Sequence, residues 1–235
     1  VLGMACALGF LLTLVVWRMP PGLPSGMKGA KFSAVFSTSE AVNWLSLARV
    51  FLFSARDVWF VVGVPLYFYG VWSDGSDAGN KAAFFMIGSF MALWVIGYGI
   101  VQGSAPKILA RLPVQSAFAL AMLLAFMPLI LAIVLWLSSS AVTPLVVIGL
   151  FVFGFGFALN SALHSFLILS FSTDARVSMD VGFYYMANAA GRLLGTLLSG
   201  VAYQAGGLEL CLLIASLMLF LSAAVARRLP QSGVA

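Results

Sequence analysis

The chain has 235 residues, of which 63% are hydrophobic and only 8% charged, with a mean hydropathy of +1.09. That composition excludes a soluble globular domain, and its long apolar runs, without ten-residue alternation, argue against a membrane β-barrel. The formal net charge of +5 is sorted by membrane side, not gathered in a patch, so it does not mark a nucleic-acid partner.

Seven stretches are apolar enough over 18 or more residues, or nearly so, to be read as membrane-spanning helices: 1–17, 44–69, 82–105, 114–137, 144–169, 177–198 and 208–226. The predicted fold class is therefore all-α and polytopic. With the loop 18–43 and the tail 227–235 placed in the cytoplasm, the inner side holds Arg18, Lys28, Lys31, Lys107, Arg111, Arg176, Arg227 and Arg228. The outer side holds only Lys81, beside Asp74 and Asp77, a strong positive-inside bias.

Residues 1–17 have no basic segment before them, as a signal peptide would. They are expected to be the last helix of an amino-terminal half that is not in this sequence. The loop 18–43, with three prolines and four charged residues, reads as a cytoplasmic linker between bundles. The connections after it are short, so 44–226 should pack as six sequential neighbours. Cys6 and Cys211 both fall in apolar runs and read as packing residues.

The stretch 44–69 carries Arg49, Arg56 and Asp57 at membrane depth, where a charge is costly unless it meets a cavity or a partner. Seven residues apart, the two arginines fall about 20° from one another around a helix. Arg49, about 7.5 Å beyond Trp44, could snorkel to the inner headgroups, whereas Arg56, about 18 Å beyond it, cannot do so easily. Asp57 could pair with either arginine or with a neighbouring helix. These charges form either a structural ion pair or a binding and gating site. Pro65 removes a backbone donor and is expected to kink the outer end.

In 82–105, Gly99 and Gly103 form a GxxxG pair that would permit a close helix contact. Tyr98 and Gln102, four apart, would either face a cavity or make an interhelical contact. The stretch 114–137 is nearly featureless apart from Pro128, and reads as a support helix. In 144–169, Gly156, Asn160 and His164 recur every four residues on one face. His164 is the only histidine; it is either a hydrogen-bonding packing residue or a proton carrier, which makes protons a candidate coupling ion. No metal ligand set accompanies it.

In 177–198, Ala187, Gly191 and Gly195 place a small residue every four positions, a line expected to lie against another helix. Asn188 and Arg192 run beside that line, with Tyr184 and Tyr185 adding polar tips. Arg192 lies about 22 Å from Val177 and would point to a cavity or snorkel outward. Asp180 would cap the helix or meet Arg176. The last stretch, 208–226, is plain and ends on Arg227 and Arg228.

No phosphate-binding loop, metal triplet or activated nucleophile is present, so no cofactor and no enzyme activity are expected. Arginine outnumbers acid at membrane depth. Guanidinium groups offer paired donors to phosphate or carboxylate oxygens, so the residues suit a small anionic solute moved across a lipid bilayer by alternating access. The candidate binding or gating residues are Arg49, Arg56, Asp57, Tyr98, Gln102, Asn160, His164, Tyr184, Asn188 and Arg192. A seven-helix receptor shares the apparent topology, but the last span has no lysine for retinal.

One span, a long link and six further spans resemble the carboxyl-terminal half of a twelve-helix major facilitator transporter. GFYYMANAAGRLLGTLLSG resembles that superfamily's glycine-rich eleventh helix, and APKILARLP loosely resembles its basic loop between helices eight and nine. Within the superfamily, LARVFLFSARDVWFVVGVPLYFY and FMALWVIGYGIVQGSAPKIL resemble the ArsJ family of organoarsenical efflux permeases; ARDVWFVVG and LWVIGYGIVQ are the most specific runs. The resemblance covers the whole chain. It implies export of 1-arseno-3-phosphoglycerate, a functional link to the glyceraldehyde-3-phosphate dehydrogenase that forms it from arsenate, and a bacterial inner membrane. Another small anion, a drug or a metabolite would remain compatible with the residues alone.

Overall fold

The computed structural model describes residues 2–18, 36–109, 113–137, 142–173 and 176–230. Most of the predicted linker 18–43, Arg111 in the APKILARLP loop, the 138–141 connection and the tail beyond Pro230 lie outside the described residues. Two compact units are present, 1–35 and 36–235. The first is described over α1 (Leu2–Arg18), a 17-residue helix. The second contains α2 (Glu40–Phe60), α3 (Gly63–Trp72), α4 (Asp77–Leu109), α5 (Ser116–Leu137), α6 (Thr143–Phe171) and α7 (Val177–Ala226).

Among these helices, α4, α5, α6 and α7 are long and apolar enough to cross a bilayer, and the chain is a multi-pass, all-α membrane protein. This corrects the expectation of seven spans, six of them the C-terminal half-bundle of a twelve-helix major facilitator fold. Helix α1 is short of a full span. The stretch 44–69 does not form one helix: α2 ends at Phe60 and α3 begins at Gly63. Pro65 has no N–H to donate to the carbonyl of Val61, so the helical ladder breaks there. Four charged residues keep α2 from presenting a long apolar window, and the 10-residue α3 is too short to cross alone. The predicted 177–198 and 208–226 are the two helical segments of α7, separated by non-helical backbone at Gly206 and Gly207.

At that break Gly207 has φ 63°, a left-handed conformation that favours glycine. Cys211 Sγ lies 3.7 Å from the Ser199 carbonyl oxygen. Twelve residues of straight helix would span about 18 Å, so α7 turns back on itself at the two glycines.

Helix α2 starts at Ser39, whose Oγ accepts from the Val42 N–H, with Glu40 favourably placed in the first turn. It packs against both segments of α7. Ser54 Oγ donates to the Gly191 carbonyl at 2.8 Å, and Ser222 Oγ donates to the Ala48 carbonyl at 2.8 Å. Trp94 Nε1 ties α4 to the Leu150 carbonyl of α6 at 2.9 Å, and Ser216 Oγ ties α7 to the Ala125 carbonyl of α5 at 2.9 Å. The outer surface is apolar: Phe84, Phe85, Leu93, Ile96 and Ile100 of α4 are all exposed, as lipid-facing side chains would be.

Two apolar cores form inside this unit. One contains Leu52, Trp59, Trp94, Phe153 and Phe157. The other contains Leu45, Leu109, Leu163, Leu167 and Tyr184. On α2, Ser46 and Arg49 are buried between Leu45 and Leu52; on α6, Asn160 and Ser161 are buried between Phe157 and Leu163. A polar layer therefore separates the cores.

Candidate functional site: a buried arginine layer

Asp57 is the hub of the charged group. Its side chain is 1% exposed, and each carboxylate oxygen takes one arginine. Arg56 Nε donates to Oδ1 at 2.6 Å, and Arg192 Nε reaches Oδ2 at 3.2 Å from α7. Arg192 is 59% exposed on its side chain, so its pairing is open to solvent or headgroups, while Arg56 is 14% exposed. Of the outcomes open to Arg192, the structure selects neither a free cavity-facing cation nor a free snorkelling one. It is held by Asp57 because Gly191 and Gly195 bring α7 against α2. A Cβ at Gly191 would run into the Val50 carbonyl, and one at Gly195 would lie 2.6 Å from the Ser54 carbonyl oxygen. Ala187, a turn earlier, is buried as well.

Arg49 is 3% exposed and does not snorkel. Its guanidinium lies 4.2 Å from the Phe53 ring centroid and 4.4 Å from that of Tyr184, with Nη1 donating to the Ser161 carbonyl at 3.1 Å. Among the described residues it has no carboxylate partner, and its Nε has no hydrogen-bond partner. Arg56 leans over Phe53 and Phe157, at 5.1 and 5.3 Å. Phe53 thus stands between the two arginines, four residues after one and three before the other. Its role was legible as helical spacing, but an aromatic among so many others carried no distinguishing mark. The Ser161 carbonyl, a backbone atom, had no sequence signal.

Helix α6 supplies the rest of the layer. Asn160 Nδ2 donates back to the Gly156 carbonyl at 3.0 Å, leaving Oδ1 unpartnered. His164 is fully buried, and neither ring nitrogen has a partner among the described residues. Gln102 of α4 reaches Ser161 Oγ at 3.4 Å, and Ser165 Oγ lies 3.4 Å from the Tyr184 hydroxyl. Gln102 and Ser165 also line a cavity of about 500 Å³ with Pro106, Leu109, Ala162 and Phe166. Asn188 is half-buried with Oδ1 unpartnered.

Other expected residues are placed elsewhere. Tyr98 stacks on Trp94 at 5.8 Å and leans on Phe157, so its ring is part of the aromatic packing. Among the described residues Gly99 and Gly103 form no packing seam: a Cβ at either would meet nothing within 4 Å. Their side of α4 faces outward because Trp94, anchored to α6, sets the rotation of the helix. Asp180 meets Ser37, which donates to it at 2.7 Å; among the described contacts it does not pair with Arg176.

Two largely buried guanidiniums, Arg49 and Arg56, stand against one buried carboxylate, Asp57, whose second oxygen is met by the largely exposed Arg192. Such a layer can bind anions by bidentate hydrogen bonding in a low-dielectric setting. Among the described residues no group of three metal-ligating side chains occurs. No protein-family model matches the chain, and no curated protein matches it.

Proposed function

We propose that this protein exports a small organic anion across the bacterial inner membrane, with its C-terminus in the cytoplasm. An organoarsenical such as 1-arseno-3-phosphoglycerate is the substrate suggested by the resemblance of its arginine-bearing runs to ArsJ permeases. The observation that carries the reading is the excess of arginine over acid in a buried layer of a multi-pass helical protein. A buried charge without a fixed partner is unusual unless it meets a ligand or a water-filled path. The Arg56–Asp57–Arg192 cluster offers the substrate two guanidinium groups whose resident counter-ion is a single carboxylate. Protons are the proposed coupling ion, with His164 as their carrier. A glyceraldehyde-3-phosphate dehydrogenase would supply the substrate.

The test is transport by the full-length protein in everted vesicles. 1-Arseno-3-phosphoglycerate should be taken up faster than 3-phosphoglycerate or arsenate, and uptake should collapse when the pH gradient is dissipated. Arg56→Ala should slow it at least tenfold without loss of folded protein. Wild-type kinetics in folded Arg56→Ala would remove Arg56 from the site, and absence of any phosphorylated-arsenical transport would overturn the substrate.

A further inference from the structure

Apart from the transport reading, we propose that the C-terminal end of α7 and the start of α5 form a binding site for an anionic phospholipid with a hydroxylated headgroup, of the phosphatidylglycerol type. The first observation is a cavity of about 310 Å³ at these helix ends, lined by Gln115, Arg227, Val114, Phe118, Ala226 and Leu229. Its lining joins one cation and one amide to four apolar side chains. A phospholipid makes the same junction where its phosphate meets its hydrocarbon.

The second observation is how Arg227 is held. Its guanidinium carbon lies 5.3 Å from the centroid of the Phe118 ring, a distance at which an aromatic face holds a cation. Among the described residues no carboxylate pairs with it. Stacking occupies the face of the guanidinium and leaves its N–H edge for two phosphate oxygens. The start of the 22-residue α5 adds the positive end of a helix dipole beside it. Gln115 offers an amide donor and acceptor to headgroup hydroxyls. A quaternary ammonium headgroup is served poorly: among the described residues no carboxylate lines the cavity, and the Phe118 ring already carries Arg227.

The third observation is the surface that leads from the cavity into the membrane. Gln115, Ala119, Leu123 and Phe126 recur at helical spacing along one side of α5, and all four are exposed. From Gln115 to Phe126 the chain rises about 16 Å, half of a bilayer core of about 30 Å. An acyl chain laid on this side spans one leaflet while its phosphate sits on Arg227. A free phosphate would leave that apolar path unused.

Arg228 supplies the comparison. It is exposed like Arg227, but it does not line the cavity, and its guanidinium rests 5.7 Å from the Trp44 ring centroid. The general attraction of basic residues to an anionic membrane surface draws on both arginines. A built site draws on Arg227.

The experiment is native mass spectrometry of the full-length protein released from detergent. It measures one-to-one binding of phosphatidylglycerol, of phosphatidylcholine with the same acyl chains, and of glycerol phosphate without chains. The wild type should prefer phosphatidylglycerol to phosphatidylcholine roughly tenfold, as one charge-assisted contact would give, and should bind glycerol phosphate far more weakly than either. Arg227→Gln should bring the preference to within about twofold of unity, and Gln115→Glu, which sets a carboxylate in the cavity, should do the same. Arg228→Gln should keep most of it. Should Arg227→Gln fail to fold, Gln115→Glu decides alone. The tenfold preference retained in folded Arg227→Gln overturns the site, as does its absence from the wild type. Equal losses in Arg227→Gln and Arg228→Gln overturn it in favour of general surface attraction. Glycerol phosphate bound as tightly as phosphatidylglycerol overturns the lipid in favour of a free phosphate. Vesicle transport of the organic anion is a separate measurement, so failure here leaves that reading standing.

Discussion

At the scale of single residues, Asp57 decides what the arginines can do. Its two oxygens hold Arg56 and Arg192 apart from each other's charge and tie α2 to α7. Asp57→Asn should lower the stability of the detergent-solubilised protein by roughly 1–3 kcal/mol, less than the 3–5 typical of a broken buried pair, because Arg192 is largely exposed. Arg192→Ala should cost no more than about 1 kcal/mol in the same thermal unfolding measurement. Asp74, in the connection between α3 and α4, behaves differently. Its carboxylate accepts from the Ser76 hydroxyl and amide at 2.7 and 2.9 Å, and these bonds hold it below the usual aspartate range. A depressed folded value means that its stabilisation is present above the unfolded aspartate pKa, near 4, and is lost as pH falls through the lower folded value. Protection of the Ser76 and Gly79 amides, measured relative to intrinsic exchange, should therefore persist down to pH values below about 4, and lose this pH dependence in Asp74→Asn.

At the scale of elements, the small-residue lines of α4 and α7 look alike in sequence and do opposite things. Gly191 and Gly195 lie against the α2 backbone, whereas Gly99 and Gly103 face open space. Gly191→Leu should lower folded yield and stability by at least the roughly 1–3 kcal/mol of overpacking, because the obstacle is a carbonyl that cannot rotate aside. Gly103→Leu should leave both unchanged within about 0.5 kcal/mol; equal damage from the two changes would contradict the rotation of α4 seen here. The α2–α3 break has a similarly local cause. Pro65→Ala restores the donor for the Val61 carbonyl, and its new amide should be protected from exchange if the helices then join.

At the scale of the whole molecule, a polar layer between two apolar cores is a structural weakness retained at the centre of the second unit. Replacing His164 by Leu removes two unpartnered nitrogens and should raise stability by about 1–3 kcal/mol, while transport is lost. A destabilised His164→Leu would show that the imidazole has partners after all. The sequence by itself determined the membrane class, the all-α composition and the shared faces on which Asn160, His164, Gly191 and Arg192 lie. Hydropathy and helical period are local properties that neighbouring residues suffice to define. The tertiary structure alone decided which charges pair, which glycine line is a seam, and how many apolar runs form uninterrupted spans. The cross-helix contacts depend on distances from α2 to α6 and α7, as between Arg49 and the Ser161 carbonyl or Asp57 and Arg192, residues more than a hundred positions apart. A seam depends on how each helix is rotated, which Trp94 sets through a backbone carbonyl that carries no side-chain signature. The span count turned on one missing N–H at Pro65, because a helix is interrupted by single backbone bonds while hydropathy averages over many residues; Gly206 and Gly207 break α7 into two segments, in keeping with the separate apolar runs 177–198 and 208–226.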